Sequence, residues 1–146
     1  MAIEQFNQSL PIMLYRTLAA IMPRFRRIFL EAGLTEQQWR VLRVLWDLNE
    51  VEFRELADLT LIVPPSLVGV IDRLKTRGLV SRRRSTSDRR VVDISLTAEG
   101  RSIEKQVMPA VASAYADLKQ SIDPVVWQQL LAGLEQLTGA SQPKRR

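Results

Sequence analysis

The sequence predicts a mainly α chain with a small β-hairpin wing, a winged helix-turn-helix flanked by N- and C-terminal dimerisation helices. Three observations predict it. Residues 64–78 carry apolar positions at helical spacing between two prolines and a glycine. Residues 79–96 follow at once as two β-patterned runs around a Ser-rich turn. Arg82, Arg83 and Arg84 precede that turn, and Arg89 and Arg90 follow it.

The first helix spans about residues 9–32. Leu14, Leu18, Ile21, Met22, Phe25, Ile28 and Phe29 keep an i, i+3/i+4 rhythm, Pro11 suits the first turn and Gly33 ends it. Pro23 lies inside and is expected to kink it. Thr35 and Gln38 form a capping box that opens the next helix, which carries Trp39, Leu42, Leu45, Trp46 and Leu48 and ends near Asn49. Trp46 reads as core. Trp39 reads equally as core or as the border of a pocket for an aromatic molecule. Residues 52–60 read as a short helix with Phe53, Leu56, Ala57 and Leu59 inward, and Leu61-Ile62-Val63 as a turn packed beneath the following helix.

That helix starts at Pro64 and Pro65, where proline costs no helical bond. Leu67, Val70, Ile71 and Leu74 form its apolar face, and Gly78 ends it in left-handed geometry. Pro65, Ser66, Gly69, Asp72, Arg73 and Thr76 lie opposite. A strand from Leu79 runs into the arginines. The return strand alternates Val92, Ile94, Leu96 against Val91, Asp93, Ser95. Thr97 caps a helix that runs to about Ser121 through Pro109, where a bend is expected, and Asp123-Pro124 opens a last helix that Gly139 stops. Residues 140–146 read as a frayed basic tail.

Five arginines around one small loop repel one another, so folding alone gives no reason to gather them. A polyanion does, because each neutralised phosphate releases counterions. The net charge of +5 agrees. On this reading the partner is double-stranded DNA. Pro65, Ser66, Val68 and Gly69 lie near base edges, with Ser66 as hydrogen-bonder and Val68 against a thymine methyl. Arg73, Thr76, Arg82, Arg83 and Arg84 meet phosphates.

The chain has neither cysteine nor histidine, which excludes disulfides and thiolate chemistry and removes the commonest general base. With no Gly-rich phosphate loop and no paired carboxylates in an apolar setting, no catalytic residue, metal or cofactor is expected and an enzyme is disfavoured. No apolar run approaches the ~20 residues of a membrane span and no signal peptide is evident, so a cytoplasmic protein is expected. One domain over residues 1–146 accounts for the length, with 35–100 as the nucleic-acid module. Residues 1–33 and 101–140 hold more apolar surface than one small core absorbs, so a two-fold dimer is expected, with Trp127, Leu130, Leu131 and Leu134 as its residues.

Leu74, Arg77-Gly78-Leu79-Val80, Asp88-Arg89-Arg90 and Leu96-Thr97 together resemble the MarR family of bacterial transcriptional regulators. Leu34-Thr35-Glu36-Gln37-Gln38-Trp39-Arg40 looks like the branch controlling homoprotocatechuate and related aromatic-acid degradation operons. The resemblance implies a homodimer on a pseudopalindromic operator, with the terminal helices forming the dimer. It places Arg90 in a minor groove, Asp88 bracing the loop and Arg89 as substitute. It also implies a pocket for a small aromatic acid effector, for which Tyr15, Arg16, Phe25, Trp39 and Arg40 are the candidates. Arg16 is the preferred carboxylate partner and Arg40 the second. The implied function is a ligand-responsive repressor of an aromatic-compound catabolic operon. The alternative is an architectural or ligand-independent winged-helix DNA-binding protein.

Overall fold

The computed structural model describes residues 8–139, so the basic tail at 140–146 and the first residues of the 1–33 segment lie outside the described residues. Six helices and three strands follow in the order α1 (Leu10–Glu31), α2 (Glu36–Leu48), β1 (Glu50–Glu52), α3 (Phe53–Thr60), α4 (Pro64–Thr76), β2 (Val80–Arg84), β3 (Val92–Leu96), α5 (Ala98–Gln120) and α6 (Pro124–Gly139). The chain divides into two compact units, Met1–Pro109 and Ala110–Arg146, within α5.

The first unit is built around α2 and α4. Val41, Leu42 and Leu45 of α2 are buried with Leu56 of α3, with Leu67, Val70, Ile71 and Leu74 of α4, and with Ile94 at the centre of the sheet. The expected caps are present. Gln38 N–H donates to Thr35 Oγ1 at 3.2 Å while Thr35 N–H donates to Gln38 Oε1 at 3.1 Å, closing the capping box. Gly78 takes φ +72°, Leu79 N–H reaches back to the Leu74 carbonyl at 3.0 Å, and α4 stops there. Trp46 is core, and its indole N–H donates to the Gly100 carbonyl at 2.9 Å. Helices α1 and α5 continue through Pro23 and Pro109 respectively.

The hairpin that the sequence predicts is formed by β2 and β3, and β1 adds a third antiparallel strand that the sequence does not predict, in the order β1-β3-β2. Residues 50–52 form the extra strand, so α3 begins at Phe53 rather than at 52. Val51 pairs with Ile94, and Val80, Arg82 and Arg84 pair with Leu96, Ile94 and Val92. Directly paired residues share a face. Val51, Val80 and Ile94 therefore seal the core side, and the last two positions of that row in β2 are arginines.

The turn before α4 corrects a second expectation. Only Ile62 packs inward; Leu61 is 85% exposed and Val63 64%. Leu61 adopts the left-handed conformation, φ 54° and ψ 35°, which aims its side chain out of the fold.

In the second unit, Asp123 Oδ1 accepts from the Val125 and Val126 N–H groups at 2.8 and 3.3 Å and caps α6. Trp127 is buried edge-on against Tyr115, ring centroids 5.7 Å apart. It ties α6 to α5 within one chain. Val125, Val126, Leu130, Leu131 and Leu137 are the exposed apolar residues of α6.

Candidate nucleic-acid interface

Helix α4 buries Leu67, Val70, Ile71 and Leu74, which turns Pro65, Ser66, Val68, Asp72, Arg73 and Thr76 outward. No side chain caps its first turn; Pro64 and Pro65 carry no backbone N–H there, and the Ser66 and Leu67 N–H groups both donate to the Val63 carbonyl at 3.0 Å. Gly69 sits among the outward residues, and a Cβ built on it would lie 3.4 Å from Arg73 Nη1. The Arg73 guanidinium therefore lies back over Gly69.

The wing tip is ordered by its own polar groups. Ser85 N–H donates to the Val91 carbonyl at 2.9 Å, and Val91 N–H donates to the Asp88 carbonyl at 3.0 Å. Asp88 Oδ1 accepts from Arg90 N–H at 2.9 Å and from Arg90 Nε at 3.2 Å. Those bonds hold the Asp88 carboxyl below the usual carboxylate range, the Arg90 backbone N–H most and its guanidinium next, with the charge of Arg54 adding to them. Asp88 braces the loop, as the resemblance implies, and Arg90 is left with its side chain 88% exposed. Arg54, which the sequence reading passed over, adds a cation from α3 beside the tip; nothing in its local pattern reports a neighbour so distant in the chain.

Strand alternation then divides the other arginines. Arg82 lies on the core-side face and comes within 3.9 Å of Asp72 on α4. Arg83 lies on the opposite face, in register with Asp93, and comes within 3.7 Å of Glu50. Among the described residues Arg84 and Arg89 make no ion pair. These pairs are exposed and leave the surface positive, since such contacts stabilise by at most about 1 kcal/mol. The structure thus brings Arg82, Arg84, Asp88, Arg89 and Arg90 together on one hairpin, with Arg82 tied to α4, and turns Arg83 to the other face.

The five effector candidates are not gathered in one place. Trp39 stacks on Phe29 at 4.4 Å between centroids, meets Trp46 edge-on at 5.3 Å, and Phe25 lies 6.4 Å from Phe29. One face of Trp39 is thereby covered by α1. Arg40 Nη1 donates to the Thr60 carbonyl at 2.9 Å, stitching α2 to the end of α3, while its Nε–H is buried without an acceptor. Tyr15 is 71% exposed and Arg16 is exposed beside it. They precede Phe25 along the same helix by about 15 Å of rise. Tyr15 lines a shallow apolar concavity with Leu10, Pro11, Leu14 and Leu18, all on α1.

No helix among the described residues is long and apolar enough to cross a membrane. The MarR family's sequence model matches residues 34–92, which run from the start of α2 into β3. The homoprotocatechuate degradative operon repressor of Escherichia coli is 35% identical over 130 residues, 89% of this chain and 88% of that protein. The solved structure of NadR in complex with 4-hydroxyphenylacetate is 33% identical and superposes with a TM-score of 0.76 over 92% of this chain and 97% of that one. The solved structure of the transcriptional regulator PA4135 is 33% identical, with a TM-score of 0.85 over 92% and 98%.

Proposed function

The chain belongs to the MarR family, and from that premise we propose that it is a homodimeric DNA-binding repressor whose grip is loosened by a phenolic or aromatic carboxylic acid. The observation that carries the DNA reading is the wing: a hairpin braced by Asp88 that presents exposed arginines beside the outward face of α4. In this reading α4 enters the major groove with Pro65, Ser66, Val68 and Gly69 near base edges, and Arg90 leaves Asp88 for a flanking minor groove. A narrow minor groove concentrates negative potential, so an exposed guanidinium on a short hairpin gains most there. Arg82, Arg84 and Arg89 then meet phosphates, while Arg83 contributes through long-range charge. A second copy covers the exposed apolar residues of α1 and of α6. That sets two α4 helices about one DNA turn apart.

The effector class comes from the relatives: one is named for a homoprotocatechuate operon and another was solved with 4-hydroxyphenylacetate. Phe25 and Trp39 both pack on Phe29, and Arg40 follows Trp39 along α2. An effector releases DNA only by preferring a dimer whose recognition helices are wrongly spaced. The distance of Tyr15 and Arg16 from Trp39 favours a second reading, a repressor that answers to no such ligand. Selection from a random duplex pool tests the DNA reading: enrichment of a short palindrome supports it, and recovery of unrelated sequences refutes it. Melting the protein with hydroxylated phenylacetates, benzoates and cinnamates separates the two ligand readings. Stabilisation that also dissociates the selected duplex supports the effector, and an unmoved melting temperature across the panel supports the ligand-independent repressor.

A further inference from the structure

We infer that Arg73 is a base-reading residue that recognises guanine in the major groove, reaching it along the outward surface over Gly69. The inference rests on the DNA-binding reading above and assigns a specificity to one position of it.

Sequence alone puts Arg73 on the sugar-phosphate backbone, because it stands in the last third of α4 and the helix enters a groove by its N-terminal end. The structure alters that. Side chains of an α-helix lean toward its N-terminus and over the residue four positions back. For Arg73 that residue is Gly69, and the guanidinium lies over it, with Nη1 3.4 Å, a van der Waals distance, from where a Cβ would stand. The charged group is therefore carried about one helical turn, roughly 5 Å, toward the end that penetrates the groove.

Nothing in the fold employs this guanidinium. Arg26, Arg43 and Arg82 have Glu36, Asp47 and Asp72 as partners, and Arg73 has no ion pair among the described residues. Its neighbour Asp72 leans toward the wing. Around it Pro65 and Val68 can donate no hydrogen bond from their side chains and the Thr76 hydroxyl donates to the Asp72 carbonyl at 2.9 Å, which leaves Ser66 and Arg73 as the side-chain donors on this face. A planar guanidinium offers two parallel donors, and guanine presents O6 and N7 as two acceptors on its major-groove edge.

The test uses the full-length protein and the palindrome that it selects from random duplexes. Each guanine of the half-site is replaced in turn by adenine or by 7-deazaguanine, which lacks the N7 acceptor. Wild type is expected to lose about ten-fold or more in affinity at one guanine per half-site. Arg73→Ala is expected to bind weakly and to be indifferent to replacement at that position. Arg73→Lys, which keeps the charge and loses the fork, is expected to lose the preference for guanine while retaining the salt dependence. Arg73 is exposed, so unchanged melting of both variants shows that they fold. If Arg73→Ala weakens all sequences alike and lowers the slope of log K against log salt by about one, Arg73 is a phosphate contact and the inference fails. If wild type selects no sequence at all, the DNA-binding reading beneath it fails first.

Discussion

Asp88 and Arg90 set the shape of the wing tip within one pair of side chains. In the free protein Asp88 accepts both the backbone N–H and the guanidinium of Arg90, yet the guanidinium remains almost wholly in water. The backbone bond shapes the loop. The side-chain bond is weak enough to be exchanged for an acceptor in a minor groove. Arg90→Ala should therefore weaken binding to the selected duplex by about 1–3 kcal/mol without changing the melting temperature, as read by fluorescence anisotropy at fixed salt. An unchanged affinity would remove the wing from the interface. Because the Asp88 carboxyl titrates below its ordinary value of 3.8, its bracing bonds are fully present above that value and are lost as pH falls through the lower one. Binding carried by the wing should hold from neutrality down to that ordinary value and decline only below it. Asp88→Ala should already be weak at neutral pH, and equal affinity of wild type and variant there would show that the brace is idle. At this scale the sequence was informative where chemistry is local. Asp88, Arg89 and Arg90 announce the wing tip. It was silent where partners are distant, as for Arg54 near Asp88 or Arg40 on the Thr60 carbonyl.

Two backbone positions decide how the elements of the nucleic-acid module meet. Leu61 bears a side chain in left-handed geometry and buries almost none of it. Leu61→Gly should then cost nothing and stabilise the fold by up to about 1 kcal/mol, since about 1–2 kcal/mol of strain is relieved against the entropy of a new glycine. A marked fall in melting temperature would show that Leu61 packs on something. Gly100 is the opposite case. A Cβ there would run into the Leu79 carbonyl and the Leu96 side chain, where the start of α5 crosses the base of the wing. Gly100→Ala should destabilise by about 1–3 kcal/mol and disturb the wing, visible as a lower melting temperature together with weaker DNA binding. A melting temperature equal to that of wild type would refute the close crossing. Helices α2 and α4 were legible in the sequence because their ends carry chemistry: Thr35 with Gln38, Pro64 with Pro65, and Gly78. Strand β1 was not, because Glu50-Val51-Glu52 offers one apolar residue and no period. It is a strand only through its pairing with β3, a contact from the far side of the module. The turn at Leu61 was misread for a related reason: apolar composition suggests burial, whereas a positive φ turned the side chain outward.

For the molecule as a whole, the balance of charge against apolar surface sets the expected behaviour. An excess of +5 that includes the arginines of a hairpin tip predicts that log K for DNA falls steeply with log salt, by several units of slope, and a flat response would exclude phosphate contacts as the main source of affinity. Leu10, Met13 and Leu18 on α1, and Val126, Leu130 and Leu131 on α6, are exposed in the single chain, and the proposed homodimer covers them. Sedimentation should therefore give twice the chain mass. The arrangement of charge was evident from the sequence, but the effector site was not: helical periodicity shows which side of α1 is apolar, yet not that Trp39 of α2 packs at the Phe29 end of α1, well along that helix from Tyr15 and Arg16. The most direct test of the account is a hydroxyl-radical footprint of the protein on its selected duplex. Two protected backbone segments about one turn apart, each flanked by a protected minor groove that Arg90→Ala leaves open, are the predicted result. Uniform protection without boundaries, or a flank that Arg90→Ala leaves unchanged, would contradict it.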